Sequence, residues 1–140
     1  MAVVNMIKTI KEVLPDYVVL VKIGTFFESY NDDAKIISYL LNYKLRDLVD
    51  NNKSCGFPVN SINRVKFILE SKSINYILID KKHSYEEIEK MNYKKKNKYK
   101  NINIIANEYI DKINRIKEIT KYLNNNSNMI NKVEKLIYER

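Results

Sequence analysis

The stretch Tyr17-Val18-Val19-Leu20-Val21-Lys22-Ile23-Gly24-Thr25-Phe26-Phe27-Glu28-Ser29-Tyr30-Asn31-Asp32-Asp33-Ala34 decides how the remainder of the chain is read. Tyr17 to Ile23 is almost continuous valine, leucine and isoleucine. It is too short for a typical helix and rich in β-branched residues, so it reads as a buried strand. Gly24 ends that strand. Beyond Thr25 to Tyr30, Asp32 stands where a helix can be capped, ahead of Ala34, Ile36, Ile37, Leu40 and Leu41, and Asp33 falls near the positive end of the helix dipole.

On the N-terminal side, Val4, Ile7, Ile10, Val13 and Leu14 recur at helical spacing and Pro15 stops the pattern, which predicts a helix over Asn5 to Leu14. On the C-terminal side, Tyr43 to Asp50 and Ser54 to Val59 flank the polar Asn51-Asn52-Lys53 and read as a hairpin, with Pro58 suited to a strand end or an edge. Asn60 or Ser61 then caps a third helix carrying Ile62, Val65, Ile68 and Leu69. Tyr76 to Ile79 is another short apolar strand. Ser84 and Glu87 have capping-box spacing, which predicts a short helical turn. Tyr93 to Lys100, YKKKNKYK, reads either as an edge strand guarded by lysines or as a loop.

This order gives a mixed α/β (α+β) fold, a mixed β-sheet flanked by helices. From about Asn101 the texture changes. Ile105, Tyr109, Ile113, Ile116 and Leu123 form one helical stripe, Asn124 to Asn126 interrupts it, and Ile130, Val133 and Ile137 form a second. A C-terminal helical hairpin is expected, so the chain divides into a domain over 1–100 and a helical extension over 101–140. The two stripes need a surface to bury against, either the domain itself or another chain.

The chain has 140 residues, which suits one core with an appendage. Its formal net charge of +8 attracts polyanions, because lysines and arginines that neutralise phosphates release condensed counterions. An Ile-, Asn- and Lys-rich composition produced by AT-rich coding accounts for the same lysines as solvated surface. No apolar run approaches the roughly 20 residues a membrane helix needs. Lys8 and Lys11 interrupt the N-terminal apolar stretch, which therefore lacks the form of a signal peptide, and a cytoplasmic protein is expected.

With two glycines, Gly24 and Gly56, neither a GxxxxGK[ST] phosphate loop nor a GxGxxG dinucleotide motif can be written. The lone histidine, His83, sits beside Lys81 and Lys82 in a surface turn, which leaves a nucleophilic triad without a convincing base. Cys55 is one small apolar residue rather than part of a thiolate metal site. The adjacent pairs Asp32-Asp33 and Glu86-Glu87 read as acids at helix starts, not as a metal-dependent nuclease centre. No catalytic residues, metal or cofactor are expected, and the chain is expected not to be an enzyme.

From Tyr17 to Lys82 the order and spacing of landmarks resembles the N-terminal, mismatch-recognition domain of the MutS family of DNA repair proteins. A strand ends in glycine and leads to an aromatic, any residue and glutamate, here Gly24-Thr25-Phe26-Phe27-Glu28. A further aromatic, acidic residues and a helix follow, here Tyr30, Asp32, Asp33 and Ala34. A downstream Gly-x-Pro opens the next helix, here Gly56-Phe57-Pro58 before Asn60 to Ser71. The resemblance covers roughly the first hundred residues. Thr25 stands where the family commonly has aspartate, and Phe27 where tyrosine is common.

The resemblance implies a stand-alone recognition module for mispaired or distorted double-stranded DNA, without the family's ATPase. Phe26 would be a wedge that enters from the minor groove and stacks on a badly paired base, where deformation is cheapest. Glu28, on the same face if the segment is extended, would hydrogen-bond the displaced base. Gly24 and Thr25 shape the approach, and Asn60 and Arg64 stand where phosphates would be met. Without the resemblance, Phe26 reads rather as a core aromatic and Glu28 as a surface acid, while a cap and a solvated cation account equally well for Asn60 and Arg64. A second expectation belongs to another class: an interaction or regulatory protein that dimerises, or docks on a full-length repair protein, through 101–140.

Overall fold

The computed structural model describes residues 2–138. These fall into two compact units, one ending at Asn107 and the other beginning at Glu108. The first unit is built on a six-stranded sheet in the order β3-β4-β2-β1-β5-β6. Its elements run α1 (Ala2–Val13), β1 (Val18–Ile23), β2 (Phe26–Tyr30), α2 (Asn31–Leu41), β3 (Leu45–Asp47), β4 (Lys53–Pro58), α3 (Ile62–Ser71), β5 (Tyr76–Asp80) and β6 (Glu86–Met91), followed by the first turns of α4 (Tyr99–Asn125). Only β1 and β5 run parallel, and every other neighbouring pair is antiparallel. The fold is therefore the mixed sheet with flanking helices that the sequence predicts.

Alternation along the strands sends residues to two cores. One face carries Val18, Leu20, Phe27, Cys55, Phe57, Tyr76 and Leu78, buried under α2, α3 and the start of α4, where Tyr99 and Ala106 complete the layer. Phe27 stacks on Phe57 with ring centroids 5.8 Å apart, so phenylalanine here is a packing residue. The other face carries Val19, Val21, Tyr30, Ile77 and Ile79, covered by Val3, Val4 and Ile7 of α1.

Several local expectations change. Thr25 to Tyr30 holds a strand, because β2 pairs on both sides, Ile23 opposite Phe26 on β1 and Phe26 opposite Pro58 on β4. The hairpin over Tyr43 to Val59 forms, with its first strand reduced to Leu45–Asp47 and its connection wound into a 3₁₀ turn over Val49–Asn51. Asp32 does not cap α2. That helix begins at Asn31, whose side chain is held by Asn52 and by the Lys53 amide, and the Asp32 carboxylate faces the Asn103 and Asn107 side chains instead. Ser61 occupies the residue before α3, yet neither it nor Asn60 makes a side-chain cap bond there.

The helical turn expected from Ser84 and Glu87 is overturned. Ser84 and Tyr85 both take left-handed backbone, φ +56° and +61°, and the reversed chain runs back along β5 as β6. Pairing with an open sheet edge outweighs a capping pattern that has no apolar face behind it. Glu86 and Glu87 are thus strand residues, and the charged edge strand lies here rather than at Tyr93 to Lys100, which is a turn leading into α4.

In the second unit the chain is helical, the remainder of α4 and then α5 (Ser127–Tyr138), broken at Asn126. The side chain of Ile130, from the second expected stripe, lies outside the described residues.

Candidate nucleic-acid interface

α1 covers only part of its face of the sheet. Beyond it, Ile23, Phe26, Glu28, Tyr30, Arg46, Leu48 and Ser54 line an open, shallow depression. The strand register assembles it. Glu28 stands opposite Gly56 on β4, while Tyr30 and Arg46 both stand opposite Ser54 from its two sides. Phe26 and Glu28 are two apart on an extended strand and share this face, whereas Phe27 between them points into the opposite core. The contrast is sharp: Phe27 is 4% exposed and Phe26 is 42% exposed.

The β1–β2 turn that presents Phe26 has two residues, Gly24 and Thr25. Gly24 takes φ +63°, the left-handed value that a two-residue hairpin with glycine at its first central position requires. Gly24 and Thr25 are both exposed. The tip is braced, since the Val59 amide donates to the Thr25 carbonyl at 2.9 Å and ties it to the 3₁₀ turn over Val59–Ser61. That turn brings exposed Asn60 to the same end of the sheet, with exposed Arg64 in the first turn of α3. Of the six residues singled out from the sequence, Phe26 and Glu28 line the depression, Gly24 and Thr25 form the turn before Phe26, and Asn60 follows the residue bonded to that turn, whereas Arg64 sits on α3, which packs on the opposite face of the sheet.

Electrostatics separate Glu28 from an ordinary surface acid. Burial pushes its carboxyl above the usual range, and the Arg46 guanidinium pulls in the other direction. The neighbouring Tyr30 hydroxyl is pushed up to about 12, by burial first and by the Glu28 charge second. Gly56 makes the arrangement possible. A Cβ placed there would stand 2.3 Å from Glu28 Oε1, so the carboxylate lies across the backbone of β4 where any side chain would collide.

Arg46, Tyr30, Leu48 and Ser54 escape a reading of the sequence, because only the register of β2, β3 and β4 makes them neighbours. Gly56 carried a usable signal: glycine inside a strand marks a close approach by another group. Cys55 is buried in the opposite core with its thiol pushed up to about 12, and His83 is exposed at the end of a 3₁₀ turn over Lys81–His83.

The family model for MutS domain I matches residues 2–104. The chain belongs to the MutS domain I family. That family is one of DNA mismatch recognition, and the match spans the whole sheet, including the Phe26–Glu28 depression. A comparison with curated proteins gives no match. Among the described residues, no helix is long and apolar enough to cross a membrane, and no three His, Cys, Asp or Glu side chains are grouped to hold a metal ion.

Proposed function

We propose that this MutS domain I protein engages mispaired or distorted duplex DNA by binding alone, with Phe26 as the wedge and Glu28 as the hydrogen-bond partner of the displaced base. The observation that carries the reading is the exposure of Phe26, on a strand whose next residue is a buried phenylalanine, beside a half-buried glutamate on the same face. An exposed aromatic at a braced hairpin tip suits insertion at a base step, whose unstacking costs least where pairing is already poor. Asn60, on the turn bonded to that tip, and Arg64, in the first turn of α3, are the proposed phosphate contacts. No nucleotide hydrolysis belongs to this reading, since Gly24 and Gly56 lie too far apart in the chain to form the usual phosphate loop. A cytoplasmic setting belongs to it as well.

Fluorescence anisotropy with matched and mismatched duplexes at two salt concentrations tests the proposal. The mismatched duplex is expected to bind more tightly, and Phe26→Ala is expected to erase that preference while leaving salt-dependent binding in place. Equal affinities that Phe26→Ala does not alter would remove the wedge.

A second reading rests on the helices of the second unit, where Ile116, Ile119, Tyr122, Leu136 and Ile137 are all exposed. Large apolar side chains at helical spacing, left uncovered, suit association with another copy of the chain or with a repair protein. Self-association is compatible with DNA binding.

A further inference from the structure

Residues 92–98, between β6 and α4, hold a lysine-rich turn that the Phe26 site does not use. Two asparagines pin it, Asn75 from outside the turn and Asn97 within it. Asn75, buried beneath it, accepts from the Tyr93 amide and donates through Nδ2 to Asn92 Oδ1 at 3.3 Å. Asn97 accepts from the amides of Asn75 and Tyr99 through Oδ1 and donates through Nδ2 to the Asp16 carbonyl at 3.0 Å. The Lys98 amide donates to the Ser73 carbonyl at 3.0 Å, which sets the turn beside Lys72 at the end of α3.

What this framework holds outward is charge. Lys94, Lys95, Lys96, Lys98, Lys100 and Lys72 are all exposed, and among the described residues none of the six is in an ion pair. A run of lysines that serves only solubility does not need a backbone fixed at both ends, by buried Asn75 and half-buried Asn97. Between Tyr93 and Tyr99 the turn carries no apolar side chain, and so lacks the anchor that attachment to a lipid surface uses.

The register fixes where this surface lies. Met91 stands opposite Tyr76 on β5, and Tyr76 opposite Val18 at the start of β1, so the turn adjoins one end of β1 and the Gly24–Thr25 tip adjoins the other. The six residues of β1 span about 20 Å, which is roughly six base-pair steps of 3.4 Å.

We propose that Lys94, Lys95 and Lys96, flanked by Lys72, Lys98 and Lys100, form a second DNA-binding surface that takes the phosphate backbone of double-stranded DNA at the end of β1 opposite the Gly24–Thr25 tip. The choice of DNA among polyanions rests on the mismatch-binding reading. The surface supplies affinity without selectivity. Compact, strongly hydrated ammonium groups suit phosphates as point charges and read no base.

The test compares the full-length protein with the K94Q/K95Q/K96Q variant on matched and mismatched duplexes across a salt titration, with circular dichroism reporting the fold. The variant is expected to bind both duplexes at least tenfold more weakly at low salt and to keep the mismatched-to-matched ratio. The slope of log K against log salt is expected to fall by about 2.7, at roughly 0.9 for each phosphate no longer neutralised. Unchanged affinity and slope in a folded variant overturn the proposal, as does lost binding to phosphatidylserine vesicles with DNA binding intact. Because Phe26→Ala acts on the ratio and the lysine variant on the slope, failure of the wedge and failure of this surface are told apart.

Discussion

Glu28 and Gly56 meet across β2 and β4, and the pair joins a packing constraint to a chemical one. A β-carbon at residue 56 cannot coexist with the carboxylate in its present place, but the obstructing atoms are the far end of a flexible side chain rather than backbone. Gly56→Ala is therefore expected to fold with little loss of stability and to swing the Glu28 carboxylate away. The mismatched-to-matched affinity ratio should fall toward one while the circular dichroism spectrum stays native. Glu28 itself should report on pH. Its carboxyl is raised by burial, so the stability it contributes is fully present below the ordinary carboxylate pKa and is lost as pH rises through the raised value. Above that raised value the ionised Glu28 thus weighs against the fold, opposed by Arg46, and there Glu28→Gln should melt no lower than the parent. In binding, protonation relieves repulsion from phosphates and supplies a donor. The mismatched-to-matched ratio should accordingly rise for the parent as pH falls through that raised value and stay flat for Glu28→Gln, measured by anisotropy from about pH 4.5 to 8.

At the scale of elements, apolar pattern was enough to find β1, β5 and the cores of α1, α2 and α3, because Val18 to Ile23 and Tyr76 to Ile79 have almost no polar positions to confuse the period. It failed at β6. Glu86-Glu87-Ile88-Glu89-Lys90-Met91 has no continuous apolar side, and only the open edge of β5 makes it a strand. It half-failed at β2, where turn chemistry at Gly24 was legible but pairing to β4, which assembles Phe26, Glu28 and Arg46, was not. Asp33 shows the same limit. Its place in the first turn of α2 suggested a complement to the helix dipole, yet it is a buried link between elements. Its carboxylate accepts from Lys11 of α1 at 3.0 Å, from the Val19 amide of β1 at 3.1 Å and from the Tyr99 hydroxyl of α4 at 2.6 Å. Burial pushes Asp33 upward, and Lys11 is the largest opposing influence. Lys11→Met should strand the carboxylate and cost about 3 kcal/mol near neutral pH, by analogy with broken buried pairs. The loss should shrink in acid as Asp33 takes up a proton, and the double variant Lys11→Met/Asp33→Asn should recover part of it in urea denaturation.

For the whole molecule, the excess of positive charge and the uncovered apolar side chains of α4 and α5 bear on one quantity, the affinity for DNA at a given protein concentration. A single module offers one wedge and must offset the cost of unstacking a base step, a few kcal/mol, from its own contacts. Two modules held together make the second contact intramolecular, with an effective concentration in the millimolar range for a short connection. If Leu136 and Ile137, both exposed, belong to a self-association surface, Leu136→Glu/Ile137→Glu should turn a concentration-dependent dimer into a monomer in light scattering. The same variant should bind long duplexes more weakly at micromolar protein, yet match the parent on a duplex too short for two modules. Its mismatched-to-matched ratio on the short duplex should be unchanged, because Phe26 and Glu28 lie in the other compact unit. A parent protein that stays monomeric at every concentration, with the variant indistinguishable from it on long DNA, would leave these helices free for a different protein and remove bivalency from the account.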